Sequence, residues 1–122
     1  DRIALVTDSM RAAGQEGGTS ILGAKDIGLP VIIEDGVAKL ADRSAFAGSI
    51  ATTDRLIRVM REKAGVSLSD AVRMMTATPA RIMGYFDRGR ISPDFRADIV
   101  IFDEDIKMQK VFVAGELRYE KA

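Results

Sequence analysis

The stretch IALVTD, Ile3–Asp8, decides how this chain is read. Five strand-forming residues run without polar alternation straight into a carboxylate. Uninterrupted apolar runs suit strands buried on both faces, as in parallel sheets. Asp often terminates a strand or starts a turn, so one reading of Asp8 is structural. The other places it at the C-terminal mouth of a parallel strand, where α/β enzymes put their chemistry. A buried parallel strand needs neighbours, and nothing before Ile3 supplies them. They are expected on chain outside these 122 residues, which reads as a fragment of a larger protein.

Composition narrows the options. At 122 residues with 47% hydrophobic content, the chain can build an apolar core. Lys+Arg and Asp+Glu are balanced at 18 each, which removes the electrostatic case for nucleic-acid or anionic-membrane binding. No apolar run approaches the roughly 20 residues that span a bilayer, and no signal peptide opens the sequence. The absence of Cys fits a cytoplasmic setting. The absence of His decides more. By itself the chain cannot assemble the usual zinc site or a Ser-His or Cys-His nucleophile pair. A metal held by this chain alone would need oxygen donors, and no EF-hand-like spacing is present.

Outward from Asp8, the glycine-rich residues Arg11–Lys25 show no period and read as an extended loop. In VIIEDGVAKL, Val31–Leu40, Asp35-Gly36 sits between apolar runs and predicts a hairpin. A small, polar loop, ADRSAFAGS, follows. Leu56, Val59, Met60 and Lys63 then take helical spacing, predicting a helix over Thr52–Ala64 capped by Thr52 or Thr53 and closed by Gly65. Ser67, with Asp70 three residues on, starts a second helix over Leu68–Thr76. PARIMG, Pro79–Gly84, reads as a short third one. The methionines of these helices (Met60, Met74, Met75, Met83) fit core filling better than a binding stripe. ADIVIF is a strand, and KVFVAGELRY is two strands about Ala114-Gly115. The order is α+β, with no repeat.

Three motifs taken together, LVTDSMRAAG, FAGS and TPARIMG…DRGRISPDFRADIVIFD, resemble the N-acetylglucosamine-6-phosphate deacetylases of the amidohydrolase superfamily. The tail motif identifies only the superfamily. LVTDSM followed by AGS and a helix narrows it to the deacetylases. The resemblance implies the C-terminal part of a (β/α)8-barrel metal-dependent hydrolase, an α/β fold that is mixed α+β within this stretch. Residues 1–88 would belong to the barrel and 89–122 would supply strands of a small β-sandwich. It further implies removal of acetate from N-acetylglucosamine 6-phosphate to leave glucosamine 6-phosphate, in a cytoplasmic homo-oligomer.

On that resemblance Asp8 ends the eighth barrel strand and is the catalytic acid. Amide hydrolysis needs a base to take a proton from water and an acid to pass it to the leaving amine, and one carboxylate can do both in turn. Phe46, Ala47, Gly48 and Ser49 would line the sugar, largely through backbone. Phe46 stands where the family has Leu, and either offers a ring face to the sugar or packs under its loop. The divalent metal, zinc or iron, belongs to the intact protein. Its ligands and the phosphate-binding residues lie upstream, so the isolated chain is expected to bind no metal and to be inactive. LGAKDIGLPVIIEDG is longer than the family's run, and no functional residue is assigned there. The rival readings are another amidohydrolase, dihydroorotase-like or deaminase-like, and a non-catalytic structural module. The acids at Asp103, Glu104 and Asp105 read as a solvated loop, Asp98 as a turn cap, and DRGR as a source of surface ion pairs.

Overall fold

The structure, a computed structural model, describes residues 2–122. Its elements in chain order are β1 (Gly18–Leu22), β2 (Leu29–Glu34), β3 (Val37–Leu40), α1 (Thr53–Glu62), α2 (Leu68–Met75), α3 (Ala77–Ile82), β4 (Ile99–Phe102), β5 (Met108–Val113) and β6 (Glu116–Glu120). They fall into two compact units. Thr7–Thr53 forms one, and Asp54–Ala122 together with the segment ending at Val6 forms the other.

The first unit is built on the antiparallel sheet β1-β2-β3. Asp35 and Gly36 both take positive φ, 53° and 73°, as the tight turn between twisted antiparallel strands requires. The turn fixes the register, Ile33 opposite Ala38 and Val31 opposite Leu40. Alternation then sends Val31 and Ile33 inward, where they join Ala12, Ala38, Ala47 and Ile50 in a buried cluster. Around the turn, Lys39 bonds Glu34 and Asp35 at 3.1 and 2.8 Å, and the Arg43 guanidinium grips both oxygens of Glu34 at 2.9 and 3.2 Å. The Arg11–Lys25 loop expected from the sequence is wrong over Gly18–Leu22. That segment is a strand, because Thr19–Leu22 pairs with β2 although it is too short to show a period.

In the second unit, Ser67 Oγ accepts the Asp70 amide at 3.1 Å and donates to the Asp70 carboxylate at 2.8 Å, opening α2 as the capping pattern predicts. The buried position of α1 is Ile57, two residues from the expected Val59 and on nearly the opposite face; Val59 is 43% exposed. Ile57, Ala71 and Ile106 form the core, with Met60, Met75, Phe102 and Met108 packed on it. Met83, by contrast, is 65% exposed and fills no core. Helix α3 starts at Ala77 rather than Pro79, which places the proline in the first turn, where no amide donor is needed. The antiparallel sheet β4-β5-β6 has a bulge at Ile101/Phe102. Asp98 caps the β5–β6 turn across 16 residues, its Oδ1 accepting the Ala114 amide at 2.8 Å. Asp103 does more than face solvent. Its Oδ1 accepts the amides of Asp105 and Lys107 and shapes the loop that buries Ile106.

Ile3–Thr7 is not a strand. It belongs to neither antiparallel sheet, β1-β2-β3 or β4-β5-β6. Ile3 and Val6 are exposed, and the Leu5 amide bonds the Met74 carbonyl at 2.9 Å instead. A run patterned for burial on two faces needs ladder partners before it can be a strand. Among the described residues no helix is long and apolar enough to cross a membrane.

Candidate functional site

All five residues singled out from the sequence lie in the Thr7–Thr53 unit. The core of that unit brings them together. Buried Ala12 and Ala47 belong to one cluster, and they draw in the chain on either side of each. Ser9 and Ser49, forty residues apart, form a parallel bridge, with the Met10 amide donating to the Ser49 carbonyl at 2.8 Å. The Gly14 amide donates to Ile50 O at 2.9 Å, and Ser9 Oγ donates to the Ala51 carbonyl. Asp8 is therefore one residue from a seam whose other side is Ser49–Ala51, where the Phe46–Ser49 segment ends.

Asp8 has φ 47°, in the left-handed region that Asp tolerates better than most residues. Its side chain is exposed. Phe46 is 75% exposed while its neighbour Ala47 is 1% exposed, so the ring points away from the core and does not pack beneath its loop. The Phe46 backbone bridges Lys39, and the Ala47 amide donates to Ala38 O at 2.9 Å, adding this segment to the edge of β3. Gly48, at φ 79°, faces Met10, whose nearest atom lies 3.4 Å from where a β-carbon would stand. Ser49 Oγ accepts the Ala51 amide at 3.1 Å and so is partly engaged in its own turn.

A cluster of paired charges sits at the β2–β3 hairpin. Arg43, and after it Lys39, hold the Glu34 carboxyl below its ordinary value, and Asp35, then Glu34, raises Lys39. This cluster is paired internally. Among the described residues no group of three or more His, Cys, Asp or Glu could hold a metal. With no His and no Cys in the sequence, this donor set does not fit zinc or iron. Sequence reasoning missed Ser9 and Met10. A small polar residue after a strand-end acid is too common in turns to have marked them.

A sequence-family model described as the amidohydrolase family matches residues 11–112. The chain belongs to that family. It is 34% identical over 120 residues to the N-acetylglucosamine-6-phosphate deacetylase of Lysinibacillus sphaericus, covering 98% of this chain and 30% of the relative. It is 32% identical over 118 residues to the N-acetylgalactosamine-6-phosphate deacetylase of Escherichia coli O157:H7, covering 96% of this chain and 30% of that one. The crystal structure of the Thermotoga maritima N-acetylglucosamine-6-phosphate deacetylase superposes with a TM-score of 0.82 at 34% identity, over 98% of this chain and 31% of that enzyme. The chain thus spans about 30% of the length of these relatives. The fold class expected from the sequence stands: a mixed α and β portion of the amidohydrolase fold.

Proposed function

We propose that this chain supplies the proton-carrying carboxylate and one wall of the sugar site in an amidohydrolase that removes acetate from N-acetylglucosamine 6-phosphate. The observation that supports the reading is the Ser9–Ser49 bridge, which joins the residue after Asp8 to the end of the Phe46–Ser49 segment although forty residues separate the two. The names of the relatives supply the reaction and its phosphorylated amino-sugar substrate. Asp8 takes a proton from water as the water oxygen adds to the acetamide carbonyl. It then returns that proton to the nitrogen as the C–N bond breaks, leaving acetate and the free amine of glucosamine 6-phosphate. Phe46 offers a ring face to the apolar side of the sugar, and the backbone of Ala47, Gly48 and Ser49 lies along it. The family is generally metal-dependent, and a zinc or iron ion in this protein draws its ligands from outside these residues. The remaining assignments are residues 1–88 to a barrel, 89–122 to a β-sandwich, a cytoplasmic location and a homo-oligomeric state.

The test is acetate release from N-acetylglucosamine 6-phosphate by the protein that carries this chain, with and without Asp8→Asn. Asn also tolerates positive φ, so the backbone at position 8 is kept. A loss of kcat of about 10²- to 10⁴-fold is expected, with the fold retained. A kcat near that of the unmodified protein returns Asp8 to a turn-forming role. Faster turnover of the N-acetylgalactosamine isomer would keep the mechanism and change the substrate.

A further inference from the structure

We infer that Ser9 is a positioning residue for Asp8, an inference that rests on the deacetylase reading above. Asp8 occupies a minority backbone well, at φ 47°, and such conformations persist only where the surroundings over-determine them. Among the described residues the Asp8 carboxylate makes no hydrogen bond or ion pair, so its own side chain does not hold it in place. Restraint within the unit comes from the C-terminal side, and it starts at the very next residue. Ser9 Oγ donates to Ala51 O, the Ser9 backbone bridges Ser49, and the Met10 amide donates to Ser49 O at 2.8 Å.

These contacts differ in what they can specify. The backbone bridge alone would tolerate a shift along the seam, because any residue can supply an amide or a carbonyl. The Ser9 hydroxyl reaches two residues beyond Ser49, to Ala51, and thereby ties the chain after Asp8 to a second point on the partner segment. Two attachment points fix both distance and direction, and a carboxylate that must meet water and the leaving nitrogen in succession needs both. Ser9 is itself exposed, so its hydroxyl is not required to fill or seal the core.

The experiment uses the full protein with Ser9→Ala and Ser9→Thr. Ser9→Ala is expected to lower kcat for acetate release about tenfold with KM within about twofold, because the carboxylate is misplaced and the sugar wall is intact. The Met10 amide should exchange hydrogen about fivefold faster or more as its bridge loosens. Ser9→Thr keeps the hydroxyl and should restore both. Unchanged kcat with faster Met10 exchange overturns the positioning role and makes Ser9 merely structural. Unchanged exchange overturns the clamp itself. If the unmodified protein releases no acetate from either hexosamine phosphate, the functional reading fails while the exchange measurement still decides the clamp.

Discussion

Two glycines of the second unit share a backbone class and differ in their surroundings, which lets strain and crowding be separated. Gly84, φ 73°, follows α3, and a β-carbon there would meet nothing within 4 Å. Gly89, φ 89°, lies against the same helix. A β-carbon there would come within 2.8 Å of Ala80 Cβ and 3.0 Å of both Ala77 Cα and Thr76 O. The neighbours are helix backbone and a buried alanine, so they cannot swing aside as a long side chain would. The Thr76 carbonyl is also held by the Ala80 amide at 3.0 Å. Gly84→Ala should therefore cost only the left-handed strain of an L-residue, about 1 kcal/mol. Gly89→Ala carries the same strain and adds overpacking of about 1–3 kcal/mol, for a total of about 2–4 kcal/mol. Urea titration followed by helical circular dichroism reads both variants on one transition, and the difference cancels the shared strain. A Gly89→Ala cost within about 0.5 kcal/mol of Gly84→Ala would refute the packing of the DRGR turn against α3.

Other perturbations test separate parts of the chain. Ser67→Ala should remove the cap of α2 and cost about 1 kcal/mol, read as a lower urea midpoint with unchanged slope. Ile106→Ala, at a side chain 2% exposed among Ile57 and Ala71, should cost about 2–5 kcal/mol, and a loss below 1 kcal/mol would mean that the loop does not bury it. The hairpin cluster predicts a plateau in pH. Glu34, held low by Arg43 and Lys39, contributes in full above its ordinary 4.5 and loses that contribution as pH falls through its depressed folded value. Lys39, raised by Asp35 and Glu34, contributes in full below 10.5 and loses it as pH rises through its elevated value. Hydrogen-exchange protection of β2 and β3 amides, relative to the intrinsic rate at each pH, should fall on both sides of that window, and Glu34→Gln should shrink the acid limb.

Local chemistry made much of the fold legible. Asp35-Gly36 announced its hairpin, Ser67 with Asp70 its cap, and Ala114-Gly115 the β5–β6 turn, because each is decided by residues that touch in sequence. The misses share another cause. β1 is a strand only because β2 lies beside it, and four residues after two glycines carry too little pattern to reveal a partner ten residues on. Ile57 rather than Val59 faces inward because the loop holding Ile106 arrives from nearly fifty residues away and chooses which side of α1 to cover. Amphipathic spacing shows that a helix has a face, and only the opposing element selects it.

The same distinction explains the candidate site. That an acid ends IALVTD is visible in the sequence, and a family resemblance says what such an acid does. That the chain after Asp8 meets Ser49 is not visible there, since it follows from Ala12 and Ala47 sharing one buried core. Ile3–Thr7 shows the limit from the other side. It has every local property of a buried strand, yet no residue of the run is buried, Ile3 and Val6 are exposed, and the Leu5 amide goes to a helix. A strand is a property of a pair, so a pattern fit for one predicts the pairing only where the partner is also present. Asp8 depends less on the run before it, because the bridge after it, from Ser9 to Ser49 and Ala51, lies entirely within its own unit. The position of Asp8 relative to Ser49–Ala51 is thus set by contacts C-terminal to it, and among the described residues no cluster of metal donors takes part.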